Sequence, residues 1–244
     1  MHLKSIRYNL GLLSRKFGVS PGILKQIKFF DAFKNQHRIM GEARVIFDVG
    51  AYDGRTVKEY RKYYPQSRIY SFEPFPRSFQ KLKDYKATTR DNHLEIIQIA
   101  LTDKDGPVTL FSNKLAVTNS VLPLSKGAVK FNPQMQSREE ITVPGKTLDT
   151  FCQEQNIIEI DILKMDIQGG ELLALRGARK MLSEKRIHVL YLEVEFEEFY
   201  KGQPLYHHLV AHLENFGYEM YSMTDISLSD KGKWLAGDAI FVKK

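Results

Sequence analysis

"VIFDVGAYDGRT", Val45 to Thr56, passes from an apolar run into a glycine-punctuated turn with two carboxylates around it. The run predicts a buried strand and the residues from Arg55 onward predict a helix, so the stretch reads as a strand-to-helix turn. Such turns ordinarily receive phosphates on free backbone N–H groups at a helix N-terminus. Here Asp48 stands two residues before Gly50, and Asp53 stands next to Gly54. Two negative charges repel a pyrophosphate, so the reading favours a ligand that is cationic or at least not anionic.

Working outward, strands and helices alternate from Gly41 on. "RVIFDVG", "RIYSFEP", "LEIIQIALTD", "IDILKMDI" and "HVLYLEVE" predict strands. "RTVKEYRKYY", "RSFQKLKDYKATT", "ELLALRGARKMLSEK" and "PLYHHLVAHLENFG" predict helices, and "YEMYSM" with "GDAIFVKK" predicts a closing pair of strands. This is an α/β pattern: a mostly parallel seven-stranded sheet with helices on both faces. After the third strand the alternation is interrupted by "GPVTLFS" and "EEITVPG", two strands joined by a long polar connection. A connection of that length inside a domain usually carries function, and the insertion covers about residues 104–147.

The net charge of +7 is local: residues 1–40 hold eight Lys and Arg against the single acid Asp31, which accounts for the whole excess. Residues 1–40 therefore read as a basic helical arm and residues 41–244 as a formally neutral domain, without a face shaped for nucleic acid. Within the arm, Ile6, Leu10, Leu13 and Phe17 make one helical stripe, and Ile23, Ile27, Phe30 and Phe33 make another. Packing of both stripes on the domain is the expectation; the rival is peripheral contact with a membrane surface. No apolar run reaches membrane-spanning length and no signal peptide is read at the N-terminus, so a cytoplasmic location is expected. The single cysteine, Cys152, leaves no internal disulfide framework and predicts a packed, inert thiol.

In an open parallel sheet, ligands bind beyond the carboxyl ends of the strands, where strand order reverses. The first three ends read Asp48-Val49-Gly50, Glu73-Pro74 and Ala100-Leu101-Thr102-Asp103. Glu73 is placed to accept from the vicinal hydroxyls of a ribose. The turn Gly50-Ala51-Tyr52-Asp53-Gly54 lacks the second glycine of a dinucleotide fingerprint. S-Adenosylmethionine carries a sulfonium and an ammonium in place of phosphates, and is the favoured cofactor.

The chain resembles the FkbM-type methyltransferases, within the Rossmann-like class I methyltransferases. The resemblance rests on "FDVGAYDG", "FEP", "IALTD", "NSVLPL", "TLD", "LKMDIQGGE", "LRGA", "YLEVE" and "GY", and "LKMDIQGGELLALRGA" is the most specific. It runs from about Val45 to the C-terminus and excludes the arm. It implies methyl transfer, commonly to a hydroxyl of a sugar or secondary metabolite. Two positions depart from the family pattern: Tyr52 stands where Asn is usual, and Gln168 stands where Glu is frequent.

Methyl transfer to an alcohol needs a group that takes the proton as the oxygen attacks. Asp166, at the tip of the fourth strand, is the candidate base; its alternative roles are holding the methionine ammonium or capping the following helix. Lys164 shares its strand face and reads as a structural lysine. Glu193, Glu195 and Glu197 alternate along one strand, and Asp166 with Glu193 could hold a magnesium ion, although a solvated strand end is the plainer reading. Asn119 and Ser120 are candidate contacts to a small-molecule or glycan acceptor, with Gln168 and Glu193 beside them; holding the loop's own turns is the alternative for the pair. His208 and His212, four apart on a helix, lack a third ligand and read as surface histidines. The sequence-level conclusion is an O-methyltransferase. The alternatives are an N-methyltransferase acting on a small metabolite and a non-catalytic cofactor-binding module docked through the arm.

Overall fold

The computed structural model describes residues 31–131 and 135–244, so the helical stripes expected over residues 1–30 lie outside the described residues. Helix α1 (Ala32–Met40) leads into β1 (Val45–Val49), α2 (Arg55–Tyr63), β2 (Arg68–Phe72), α3 (Pro76–Thr89) and β3 (Leu94–Ile97). Then come β4 (Ala100–Leu101), β5 (Gly106–Asn113), a 3₁₀ turn at Ala116–Thr118, α4 (Lys126–Phe131), β6 (Ser137–Lys146) and α5 (Leu148–Glu154). The last part is β7 (Ile160–Met165), α6 (Glu171–Arg176), α7 (Arg179–Ser183), β8 (Ile187–Glu195), α8 (Tyr206–Glu214), β9 (Tyr218–Leu228) and β10 (Trp234–Lys243). Among the described residues no helix is long and apolar enough to cross a membrane.

Seven strands form one sheet in the order β3-β2-β1-β7-β8-β10-β9. The pairs from β3 to β8 are parallel and the two that involve β10 are antiparallel. Period-two alternation sends neighbouring side chains to opposite faces. Phe47, Tyr70 and Leu163 pack with α5, α6, α7 and α8, whereas Ile46, Ile69 and Ile162 pack with α1 and α2. Both faces are therefore covered, which is why these strands read as continuous apolar runs. Truncating a fully buried anchor such as Phe47 to alanine costs about 3–5 kcal/mol.

Two sequence expectations change. "LEIIQIALTD" is not one strand: β3 ends at Ile97, whose carbonyl accepts from Glu73 N at 3.0 Å, and Ala100–Leu101 leaves the main sheet. That pair joins β6 in parallel, and the expected β5–β6 hairpin completes a second sheet of order β4-β6-β5. The helix expected over "ELLALRGARKMLSEK" breaks at Gly177, where a Cβ would lie 2.1 Å from the carbonyl oxygen of Thr102. Only a glycine admits that approach, and Gly177 O also accepts from Asp149 N, which docks α5. Helix α1, the last part of the basic arm, packs on the domain, as expected for the stripe that includes Phe33. Phe33 meets Tyr60 edge-on at 5.1 Å, and the Tyr60 hydroxyl donates to Gln36 Oε1 at 2.9 Å.

Candidate active site

Strand order reverses between β1 and β7, and the carbonyl of Phe72 on β2 accepts from both Gly50 N and Ala51 N at 3.0 Å. This bends the chain sharply after Val49. Gly50 takes φ +81°, and a Cβ there would lie 2.0 Å from the carbonyl oxygen of Asp166, so the two strand tips touch backbone to backbone. Tyr52 also has a left-handed φ of 50°. A cavity of about 250 Å³ opens above these tips. It is walled by Gly50, Ala51, Tyr52 and Asp53 from the glycine turn, with Glu73 and Pro74 from the end of β2. Ala100 and Leu101 come from β4, Asn119 and Ser120 from the insertion, and Asp166 and Gln168 from the end of β7.

Asp48, Gly54, Asp103 and Glu193 were expected in this site and are not in its lining. Asp48 is fully buried beneath it and pairs with Lys164 Nζ at 3.1 Å. Burial pushes the Asp48 carboxyl up, and Lys164 opposes that. Burial alone would lower Lys164, but Asp48 and Asp166 outweigh it and hold the ammonium above its ordinary range. Lys164 also donates to Gly50 O at 3.0 Å and to Val49 O at 3.3 Å, so it is a structural lysine that staples the turn. Asp53, still at the wall, pairs with Arg55 at 2.9 Å. Thus each carboxylate that argued for a cationic ligand already has a cation of its own. Gly54 caps α2 with φ 83°, and Asp103 is exposed on the loop after β4.

Glu73 keeps its expected place. It is buried, and each oxygen accepts one backbone N–H: Tyr52 N to Oε2 at 2.8 Å and Phe75 N to Oε1 at 2.9 Å. Burial raises its carboxyl to about 7 against the lowering effect of those two N–H groups. A carboxylate has about four acceptor positions, so each oxygen retains capacity for a ligand hydroxyl. Apolar groups from Phe75, Ile99, Leu110 and Val121 also face the cavity. These were missed in the sequence, where their only signal is adjacency to Glu73-Pro74, the third strand and "NSVLPL".

Asp166 is exposed at the cavity, and its Oδ1 accepts from Gln168 Nε2 at 3.1 Å. The same Nε2 lies 2.6 Å from Glu193 Oε2. The place between Asp166 and Glu193, weighed for magnesium, therefore holds an amide donor, and no group of three or more metal-ligating side chains occurs among the described residues. Glu193 and Glu195 do not end in solvent: burial raises both carboxyls well above the ordinary range, with neighbouring acids adding to it. Glu171, fully buried, accepts from Ile167 N at 2.8 Å and is raised to about 7 by burial.

The insertion segment lies at the carboxyl edge of the sheet, as the acceptor reading requires. Its two polar candidates differ. The Ser120 hydroxyl donates to Gln168 O at 2.7 Å and accepts from Leu122 N at 3.0 Å, so it holds the loop. Asn119 Oδ1 accepts from Asn113 N at 2.7 Å, while its Nδ2 is buried without a partner. His208 Nδ1 accepts from Leu205 N at 3.0 Å at the start of α8, and burial lowers His212.

A family profile described as "Methyltransferase FkbM domain" matches residues 48–220. "2-O-methyltransferase NoeI" of Sinorhizobium fredii (strain NBRC 101917 / NGR234) is 25% identical over 166 residues, covering 65% of this chain and 66% of the relative. "Methyltransferase 1" of Beauveria bassiana (strain ARSEF 2860) is 28% identical over 142 residues, covering 54% and 57% respectively. The chain thus matches less than two thirds of the length of these curated relatives. The crystal structure of a methyltransferase FkbM from Methylobacillus flagellatus KT superposes with a TM-score of 0.53 at 16% identity, over 82% of this chain and 43% of that one. That likeness is one of fold.

Proposed function

The chain belongs to the FkbM methyltransferase domain family, and from that premise we propose that it is an S-adenosylmethionine-dependent O-methyltransferase acting on a hydroxyl of a sugar, glycan or secondary metabolite. The observation that carries the reading is Glu73. Its two oxygens are fixed by Tyr52 N and Phe75 N at the rim of the cavity, with lone pairs left for a vicinal diol. When bound, S-adenosylmethionine supplies an electrophilic methyl group on a sulfonium. Glu73 would hold its ribose, Ala100 and Leu101 with Phe75 and Ile99 would receive its base, and the turn Gly50–Tyr52 would lie along the methionine chain.

Asp166 is the exposed carboxylate at this cavity and takes the acceptor's proton in this reading. Most of the acceleration would come from aligning acceptor oxygen, methyl carbon and sulfur, which the touching tips of β1 and β7 favour by fixing the turn against Asp166. Asn119 lines the cavity and its Nδ2 has no protein partner, so a turn of the amide toward the cavity would offer a donor to an acceptor that presents oxygen atoms. The relative whose name specifies 2-O-methylation gives the hydroxyl class its support.

The test is incubation with methyl-labelled S-adenosylmethionine and a panel of methyl glycosides, glycans and small amines. Label transferred to a hydroxyl, abolished in Asp166→Asn, is the expected result. Transfer to amines alone, or no detectable binding of S-adenosylhomocysteine by calorimetry, overturns the reading.

A further inference from the structure

We propose that Gln168 is a positioning residue, which fixes the carboxylate of Asp166 and ties it to the insertion segment that carries Asn119. The proposal deepens the reading of Asp166 as the base and rests on it. Four observations carry it.

Gln168 adopts φ 58° and is followed by Gly169 at φ 89°, a left-handed pair that turns the chain back at the tip of β7. A non-glycine residue pays for that conformation, so its side chain is held there by something specific. The amide then bridges two acids: Nε2 lies 3.1 Å from Asp166 Oδ1 and 2.6 Å from Glu193 Oε2. Its two hydrogens match two groups that, when ionised, can only accept. The amide oxygen faces the Tyr200 hydroxyl at 2.9 Å, and that hydroxyl also lies 3.0 Å from Thr118 O. Tyr200 is buried, so its hydroxyl is a fixed post between Gln168 and the segment. Finally, the Gln168 carbonyl accepts from Ser120 Oγ at 2.7 Å. Residues 118–120 are therefore tied to Gln168 through its backbone by Ser120, while its side-chain oxygen shares the single Tyr200 proton with Thr118 O.

The residue type matters for charge. A neutral amide satisfies Asp166 and Glu193 together. A glutamate at 168 would place a third carboxylate among them with no hydrogens to offer, and either a proton would have to be taken up or the group would splay apart. A leucine would fill similar space and offer no donor at all.

The experiment is a carbon-13 NMR titration of side-chain carboxyls in the full chain, with the Asp166 signal assigned by its loss in Asp166→Asn. Wild type, Gln168→Glu and Gln168→Leu are compared, with Glu184→Gln, at the exposed pair with Arg186 before β8 and so at the opposite end of the strands, as a remote control. The Asp166 midpoint is expected to rise by one pH unit or more in Gln168→Glu and by several tenths in Gln168→Leu, with the control unmoved. Should Gln168→Glu fail to fold, Gln168→Leu decides. Midpoints unchanged within 0.2 in the folded variants overturn the proposal (roughly the precision at which such midpoints separate). Turnover of Asp166→Asn separates this outcome from the other: if it persists on an acceptor found in the glycoside panel, the base reading falls, whatever Gln168 does to the midpoint.

Discussion

Replacing Lys164 by methionine isolates the staple beneath the glycine turn. The pair Lys164–Asp48 is 3.1 Å apart, and both side chains are almost wholly enclosed. At an effective dielectric near 20, two charges at that separation attract by about 5 kcal/mol, most of which offsets their own desolvation. Removing one partner of such a pair costs about 3–5 kcal/mol, because the survivor is left charged and buried. Methionine keeps the volume, so the loss reports charge and hydrogen bonds more than packing. Asp48 escapes the penalty by taking a proton, since burial already pushes its carboxyl up. Its folded proton affinity then exceeds the unfolded one, so stability is present at low pH and is lost as pH rises. Urea unfolding at pH 7.5 should show the full loss in Lys164→Met, and the loss should shrink at pH 5.5. Asp48→Asn/Lys164→Met should recover more than half of it. Calorimetry on the double variant should nevertheless show weaker S-adenosylhomocysteine binding, because Gly50 O has lost its donor. A loss below about 1 kcal/mol in Lys164→Met, the same at both pH values, would refute the reasoning.

Glu73→Gln should weaken S-adenosylhomocysteine about ten- to a hundredfold, because charge-assisted hydrogen bonds contribute roughly 1.5–3 kcal/mol. In wild type the same affinity should fall as pH drops through about 7, where Glu73 takes a proton; a flat profile from pH 6 to 8 contradicts the assignment. Glu171, raised from 4.5 to about 7, withdraws up to about 3 kcal/mol of folding stability as pH rises through that window. Glu171→Gln should flatten the dependence of the unfolding midpoint on pH between 4.5 and 7, and an unchanged slope would show that another group sets it. Asn119→Ala should raise the acceptor KM about tenfold with cofactor affinity within twofold of wild type. A change in thermal stability alone would leave Asn119 as a loop support.

The strands, the doubly covered sheet and the position of Glu73 were legible because they follow from local periodicity and from where a strand must end. The departures arise where a partner distant in sequence decides. Gln98-Ile99 separates two apolar runs that look continuous, and only the Gly145–Lys146 edge of β6, forty-odd residues on, shows that Ala100–Leu101 belongs to another sheet. Gly177 reads as a tolerable glycine in a helix until Thr102 O is brought against it. The same holds for charge. Asp48 and Asp53 counted as a negative surface in the sequence, but Lys164 arrives from β7 across 116 positions to neutralise the first. The amide bridge at Gln168 joins residues 118, 166, 193 and 200, drawn from three separate parts of the chain, and no spacing in the sequence announces it.

Cys152 is buried on α5, as the sequence predicted, and burial raises its thiol to about 12. Because the thiolate is the reactive form, the native chain has no competing target for maleimide or disulfide chemistry at neutral pH. Val117, 57% exposed and part of the cavity wall, can therefore be changed to cysteine in the otherwise native background and labelled at that position alone. An environment-sensitive dye attached there would convert arrival of cofactor and arrival of acceptor into separate optical signals, and so allow unknown acceptors to be sought by binding, before any product is known.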